Sequence, residues 1–189
     1  MATKEIITDY TLRIDTPQKL FALRVFHELD PFNIQHCEEL IPRWDYMNLA
    51  GIRTLNPIII MADESCCNEH DAKKLIDLKA CDFFNVKIGK SAEIFKALTI
   101  IQLAEKEGIK IQLGGFLESR LAFTAAAHLA LVSESIKFFD FDTPLMFIED
   151  PVIGGISYNN KGVIEVPDTP GLVATIDTHY LKGLISTTV

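Results

Sequence analysis

PIIIMADESCC, residues 57–67, is the stretch on which the fold turns. Ile58, Ile59, Ile60 and Met61 form a short unbroken apolar run, the pattern of a strand covered on both faces in a parallel sheet. The run ends at Ala62-Asp63-Glu64-Ser65, two carboxylates at the tip of an otherwise apolar strand. In parallel α/β folds the carboxyl ends of the strands form one rim where ligands bind, so charge at a strand tip points to a shared site.

Five further stretches repeat the pattern: EIITDYTLRI (5–14), NIQHCE (33–38), DFFNVKI (82–88), IKIQLG (109–114) and IKFFDF (136–141). Of the six strands so expected, each of the first five is followed by a helical pattern, which predicts βα repeats and an α/β fold built on a parallel sheet. The clearest helix spans 91–108, with Ser91 as its cap, Ile94, Leu98, Ile101 and Leu103 as its inward stripe, and Gly108 as its end. A second helix runs through the alanines of 119–133 and carries His128, which reads as a core histidine. Past residue 145 the pattern changes, and GGISYNNKGVIEV (154–166) predicts a hairpin across Asn159-Asn160-Lys161-Gly162. The expected organisation is one domain, with βα units over 1–145 and a tail over 146–189.

Composition narrows the function classes. The 189 residues are 48% hydrophobic, and 18 Lys and Arg stand against 26 Asp and Glu for a net charge of −8. That is enough apolar content for a core, and it argues against a basic nucleic-acid surface. No apolar run reaches the length of a membrane span, so a cytoplasmic protein with no membrane partner is expected. Cys37, Cys66, Cys67 and Cys81 show no CxxC spacing and read as buried reduced thiols.

Polar residues gather at the strand ends: Glu38 and Glu39 after the second strand, Asp63 and Glu64 after the third, and Lys87 and Lys90 after the fourth. Glu118 follows Gly114-Gly115, and Asp140 and Asp142 follow the sixth strand. Each has a simpler reading. Asp63 or Ser65 can cap the helix that begins near Asn68, Asp140 and Asp142 can cap likewise, and the lysines can be solvated charges. Acid, acid and lysine on successive strand ends favour the functional one. Hard oxygen ligands on separate strands suit Mg²⁺, and a lysine beside them can take a proton next to a carboxylate and leave an enolate. A lysine base with Mg²⁺ is the arrangement of enolase-superfamily sites.

Five ordered motifs make that likeness specific: NIQHCEELIPRWD, PIIIMADES, FFNVKIGKS, GGFLESRLAFTAAAHLAL and FDFDTPLMFIEDPVIGGISY. Over residues 17–172 the chain resembles the catalytic barrel of dipeptide epimerases, in the muconate-lactonizing branch of the enolase superfamily. The resemblance implies a truncated TIM-type (β/α) barrel and an isomerase acting on a dipeptide. It makes Glu38 and Asp63 Mg²⁺ ligands and Lys87 the acid/base, while Asp140 and Asp142 hold the substrate's α-ammonium group. Glu118 and Lys90 then belong to the substrate side of the rim. Asp15 has two readings: a third metal carboxylate, or part of the family's first barrel strand and the helix after it. Pro17 favours the second.

The chain also departs from the family pattern. Glu38-Glu39-Leu40 stands where the family has Glu-Gln-Pro, and Ala92-Glu93 where it has two glycines. The capping domain, about two barrel strands and the Lys-x-Lys strand that bears the opposite base are expected to be missing. A second reading follows, a catalytically impaired barrel that binds without turnover. Six strands where a barrel takes eight leave edges to cover, which predicts a homo-oligomer or a tail that plugs the opening.

Overall fold

A computed structural model of the chain describes residues 11–13, 19–56 and 58–187. Its centre is one six-stranded sheet in sequence order, with every neighbouring pair parallel. The strands are β1 (Thr11–Arg13), β2 (His36–Glu38), β3 (Ile59–Ala62), β4 (Phe83–Lys87), β5 (Lys110–Gly114) and β6 (Ile136–Phe139). Between them run α1 (Lys19–Leu29), α2 (Tyr46–Leu55), α3 (Glu69–Asp77), a single turn α4 (Ile88–Ser91), α5 (Ile94–Lys106) and α6 (Arg120–Leu129). Strands and helices alternate as the sequence pattern predicts.

The two faces of the sheet differ because side chains alternate along a strand. Ile60, Ala62, Phe84, Val86, Ile111 and Leu113 join the main core with Leu49 and Ile52 of α2, Leu75 of α3, Ile100 and Ile101 of α5 and Phe123 of α6. The alternate residues His36, Met61, Phe83, Asn85, Lys87 and Gln112 are also buried but on the opposite, concave face. There the His36, Phe83 and Phe138 rings meet with centroids 5.1–5.9 Å apart. These rings come from β2, β4 and β6, so the sheet curls far enough for non-adjacent strands to touch across its interior. Layers drawn from alternate strands are how a TIM barrel fills its centre, and the fold is a truncated (β/α) barrel.

Helix α5 differs in detail from its expected form. Ser91 closes α4, with its hydroxyl donating to Lys87 O, and α5 starts after Glu93 without a side-chain cap. Its buried residues are Ala97, Ile100, Ile101 and Ala104, while Ile94 is exposed. Ile101 of the expected stripe is buried and Leu98 and Leu103 pack partly buried against the core, but small Ala97 and Ala104 take the closest positions with Ile100, and Ile94 falls outside. Gly108 ends the helix with φ +69°, as expected.

Beyond β6 a 3-10 turn, Thr143–Met146, leads into β7 (Val152–Gly154), β8 (Ser157–Tyr158), β9 (Ile164–Glu165), β10 (Ala174–Ile176) and α7 (Thr178–Gly183). Strands β8 and β9 pair antiparallel across the Asn159–Gly162 turn, in agreement with the predicted hairpin. Strand β10 returns to pair antiparallel with β7. The tail is fastened to α6: the Arg120 guanidinium binds Asp150 and the carbonyls of Val152, Gly154 and Ile156. Thr124 Oγ1 accepts from Ile156 N, and Ile156 is wholly buried in the core. One guanidinium thus binds three backbone carbonyls of the tail. Arg120→Ala is expected to destabilise the chain by roughly 2–3 kcal/mol, and to expose residues 150–176 to limited proteolysis before the sheet unfolds. Thermal melts and mapping of the first cleavage sites check this.

Candidate active site

The carboxyl ends of β2, β3 and β4 bring four of the expected residues into one network. Asp63, one residue past β3, is fully buried. Lys87, the last residue of β4, reaches its Oδ2 at 2.7 Å, and Lys90 of α4 reaches its Oδ1 at 2.5 Å. Lys90 Nζ also donates to the backbone oxygens of Asp63 (2.5 Å) and Asn85 (2.7 Å). Its three hydrogens therefore have three acceptors, and its side chain is only 3% exposed. Neither lysine is a solvated charge. Lys90 holds Asp63 and ties the tips of β3 and β4, whereas Lys87 keeps donor capacity to spare and lies 5.3 Å from the Phe116 ring centroid.

Glu38 completes the cluster from β2. It is buried, accepts from Asn85 Nδ2 at 3.2 Å and shares a hydrogen bond with Asp63. Burial pushes its carboxyl up to about 8, with the Asp63 charge adding to the effect and Lys87 and Asn85 opposing it. For Asp63 burial also works against ionisation, but Lys90, the bond from Glu38 and Lys87 outweigh it and hold the carboxyl well below the usual range. Two neighbouring carboxyl groups thus take opposite states, one neutral and one charged.

Asn68, not Asp63 or Ser65, caps α3: its side chain accepts from His70 N and Asp71 N. Asp63 is left to the site. Gly114, in register with Lys87, makes room, since a Cβ there would lie 2.9 Å from Asn85 Oδ1 and 3.5 Å from Lys87 Cε. The Glu118 carboxylate lies over Gly89 and Gly115, beside Phe116. Asp140 and Asp142 follow β6 and are exposed. Thr143 beside them donates to Phe116 O, which links the loops after β5 and β6. Asp15 lies outside the described residues. Sequence reasoning missed Asn85, although a polar residue two positions before Lys87 on one strand shares its face.

No group of three or more His, Cys, Asp and Glu side chains is arranged to hold a metal among the described residues. The donor chemistry nevertheless fits a hard cation. Glu38 and Asp63 supply two carboxylates, and the Asn85 Oδ1 beside them is buried without a hydrogen-bond partner.

Residues 1–180 match the enolase C-terminal domain-like family. The chain belongs to that family. It is 56% identical over 177 residues to the D-Ala-D/L-Ala epimerase of Cytophaga hutchinsonii, and 35% identical over 174 residues to the L-Ala-D/L-Glu epimerase of Clostridium acetobutylicum. These alignments cover 92% and 89% of this chain, and 48% of each relative. Among solved structures, the Cytophaga hutchinsonii dipeptide epimerase complexed with Mg and D-Ala-L-Val superposes with a TM-score of 0.88 over 93% of this chain and 48% of that one. The L-Ala-D/L-Glu epimerase from Bacillus subtilis, 31% identical, gives 0.81 over 87% and 47%. The chain spans about half the length of the curated relatives it matches.

The protonation states carry a pH signature. Glu38 binds its proton more tightly folded than unfolded, so between its ordinary 4.5 and about 8 the folded chain holds the extra proton. Stability in the absence of divalent cations is therefore expected to fall as pH rises through that window. Glu39, also raised by burial, acts in the same direction, and Asp63 acts only below its ordinary 3.8. Urea unfolding at several pH values checks this, and Glu38→Gln should flatten the slope.

Proposed function

We propose that the chain carries the metal-ligand and proton-transfer side of a dipeptide epimerase site, with Lys87 as acid/base at the α-carbon next to the substrate carboxylate. The observation that carries this reading is the Lys87 ammonium 2.7 Å from a buried Asp63 at the strand ends, with Glu38 alongside. Glu38 and Asp63 would hold Mg²⁺, with Asp15 as a third candidate ligand. When bound, the ion would stabilise negative charge developing on the substrate carboxylate. Lys90 keeps Asp63 Oδ1 fixed throughout, and Lys87, once its ammonium has given a proton to solvent water, is free to leave Asp63 and take the α-proton, which it returns or exchanges with solvent. Asp140 and Asp142 would receive the α-ammonium group across the rim, with Glu118 between them and Lys87.

The relatives' activities on D-Ala-D/L-Ala and L-Ala-D/L-Glu support a dipeptide as substrate. Inversion needs an acid/base on each face of the α-carbon, and this reading assigns one. The expected reaction of the chain alone is α-proton exchange with retention. The second reading, binding without turnover, is favoured by one observation: lysines already neutralise both Asp63 oxygens. Incubating D-Ala-L-Ala with the protein and Mg²⁺ in deuterated water tests the two. Deuterium should enter at the α-carbon, Lys87→Ala should abolish it, and Lys90→Ala, which removes three bonds to Lys87→Ala's one, should lower the melting temperature further. No exchange in the parent protein would leave the binding reading.

The assembly and compartment belong to the same proposal. The sheet runs from β1 to β6, and the large apolar residues Leu145, Met146 and Ile148 beyond β6 are exposed. A homodimer would bury them. Light scattering on a sizing column should give a multiple of 21.2 kDa, and a persistent 21.2 kDa species would refute it. Cys66, Cys67 and Cys81 form no disulfide, a state that suits a reducing cytoplasm.

A further inference from the structure

Glu39 stands beside the proposed ligand Glu38 but faces a different environment. Its backbone is left-handed, with φ +44°, a conformation uncommon for a residue with a long side chain. Its N–H still donates to Met61 O at 3.0 Å, so the turn begins directly at the end of the β2–β3 ladder. The carboxylate is buried and meets three donors from the loop after β3. Oε2 accepts from Asp63 N at 2.8 Å and Ser65 N at 3.2 Å, and Oε1 accepts from Ser65 Oγ at 2.6 Å. Two amides and a hydroxyl of one loop converging on one carboxylate make a concave site for negative charge. Here the anion is part of the protein.

We infer that Glu39 is a positioning residue: its carboxylate gathers the Asp63 and Ser65 amides and the Ser65 hydroxyl and so fixes the direction in which the Asp63 carboxylate leaves β3. The Asp63 amide and carboxylate belong to one residue, so holding the amide and the hydroxyl two positions on leaves the loop little freedom. The lysines then meet a carboxylate already aimed at them. This also gives the acid at position 39 a purpose in a chain that departs there from Glu-Gln-Pro. A glutamine can offer one oxygen to the two amides, but a carboxylate offers an acceptor to all three donors.

The effect on metal binding rests on the proposed reading of Asp63 as a ligand, whereas the effect on the loop does not. Amide hydrogen exchange of the full chain tests the loop, and Mn²⁺ binding followed by electron paramagnetic resonance tests the metal. Glu39→Gly suits the left-handed backbone and removes the carboxylate. It should speed exchange at Asp63 and Ser65 by about tenfold or more, leave Val86 and Leu113 protected, and weaken Mn²⁺ by about tenfold. Glu39→Gln should retain protection at Asp63 and most of the affinity. A remote destabilising change, Ile101→Val, should lower the melting temperature without altering affinity. Unchanged exchange at Asp63 and Ser65 in Glu39→Gly would overturn the inference. Should that variant not fold, Ser65→Ala, which removes one donor, should still speed exchange at Asp63, and no change there would overturn it equally. Absence of Mn²⁺ binding in the parent protein would refute the ligand reading alone, because exchange still decides the role of Glu39.

Discussion

Burying Asp63 as an anion is the constraint around which the rim is arranged. A carboxylate withdrawn from water loses several kcal/mol of solvation unless opposite charge and hydrogen bonds replace it. Lys87 and Lys90 supply the charge, and Glu38 supplies a hydrogen bond. Lys90 does more than neutralise, because its bonds to the backbone oxygens of Asp63 and Asn85 join the tips of β3 and β4. The tips can stay together only while the charge is compensated, so local stability and the chemistry of the site share the same groups.

The curl of the sheet divides these tasks by face. Outward-pointing Ile60, Phe84, Val86 and Leu113 bind the strands to the helices through apolar burial. Inward-pointing residues of the same strands run from the aromatic layer of His36, Phe83 and Phe138 up to Asn85, Lys87 and Asp63 at the rim. A strand two residues per repeat can hold both sets without conflict. Gly114 is small where Asn85 and Lys87 need the volume, so the concave face is polar at the top and remains packed.

The two lysines look alike in the sequence and differ in kind in the structure. Lys90 is saturated by fixed acceptors, and a saturated ammonium stabilises a charge without being free to trade protons with a ligand. Lys87 has one carboxylate oxygen and an aromatic face nearby, which leaves it able to exchange its partner.

Much of this was legible in the amino-acid order. Apolar runs broken by charges located five strands, the alternating helices and the hairpin, and the described part of the first strand, Thr11–Arg13, falls inside its expected span, because burial and turn formation are local enough to leave a periodic trace. Asp63 and Lys87 were visible as charges at strand tips. Other features needed three dimensions. The buried face of α5 depended on which residues let it sit closest to the sheet, and the cap of α3 fell to Asn68 because Asp63 was drawn into a salt bridge from another strand. The roles of Lys90, Asn85 and Glu39 arise from contacts between segments 5 to 47 residues apart in the chain, with a left-handed backbone at Glu39 that no residue type announces. Sequence order determined where charge would meet the rim; only the folded packing of β2, β3 and β4 decided which charges pair, because pairing depends on distance in space and on exclusion of water.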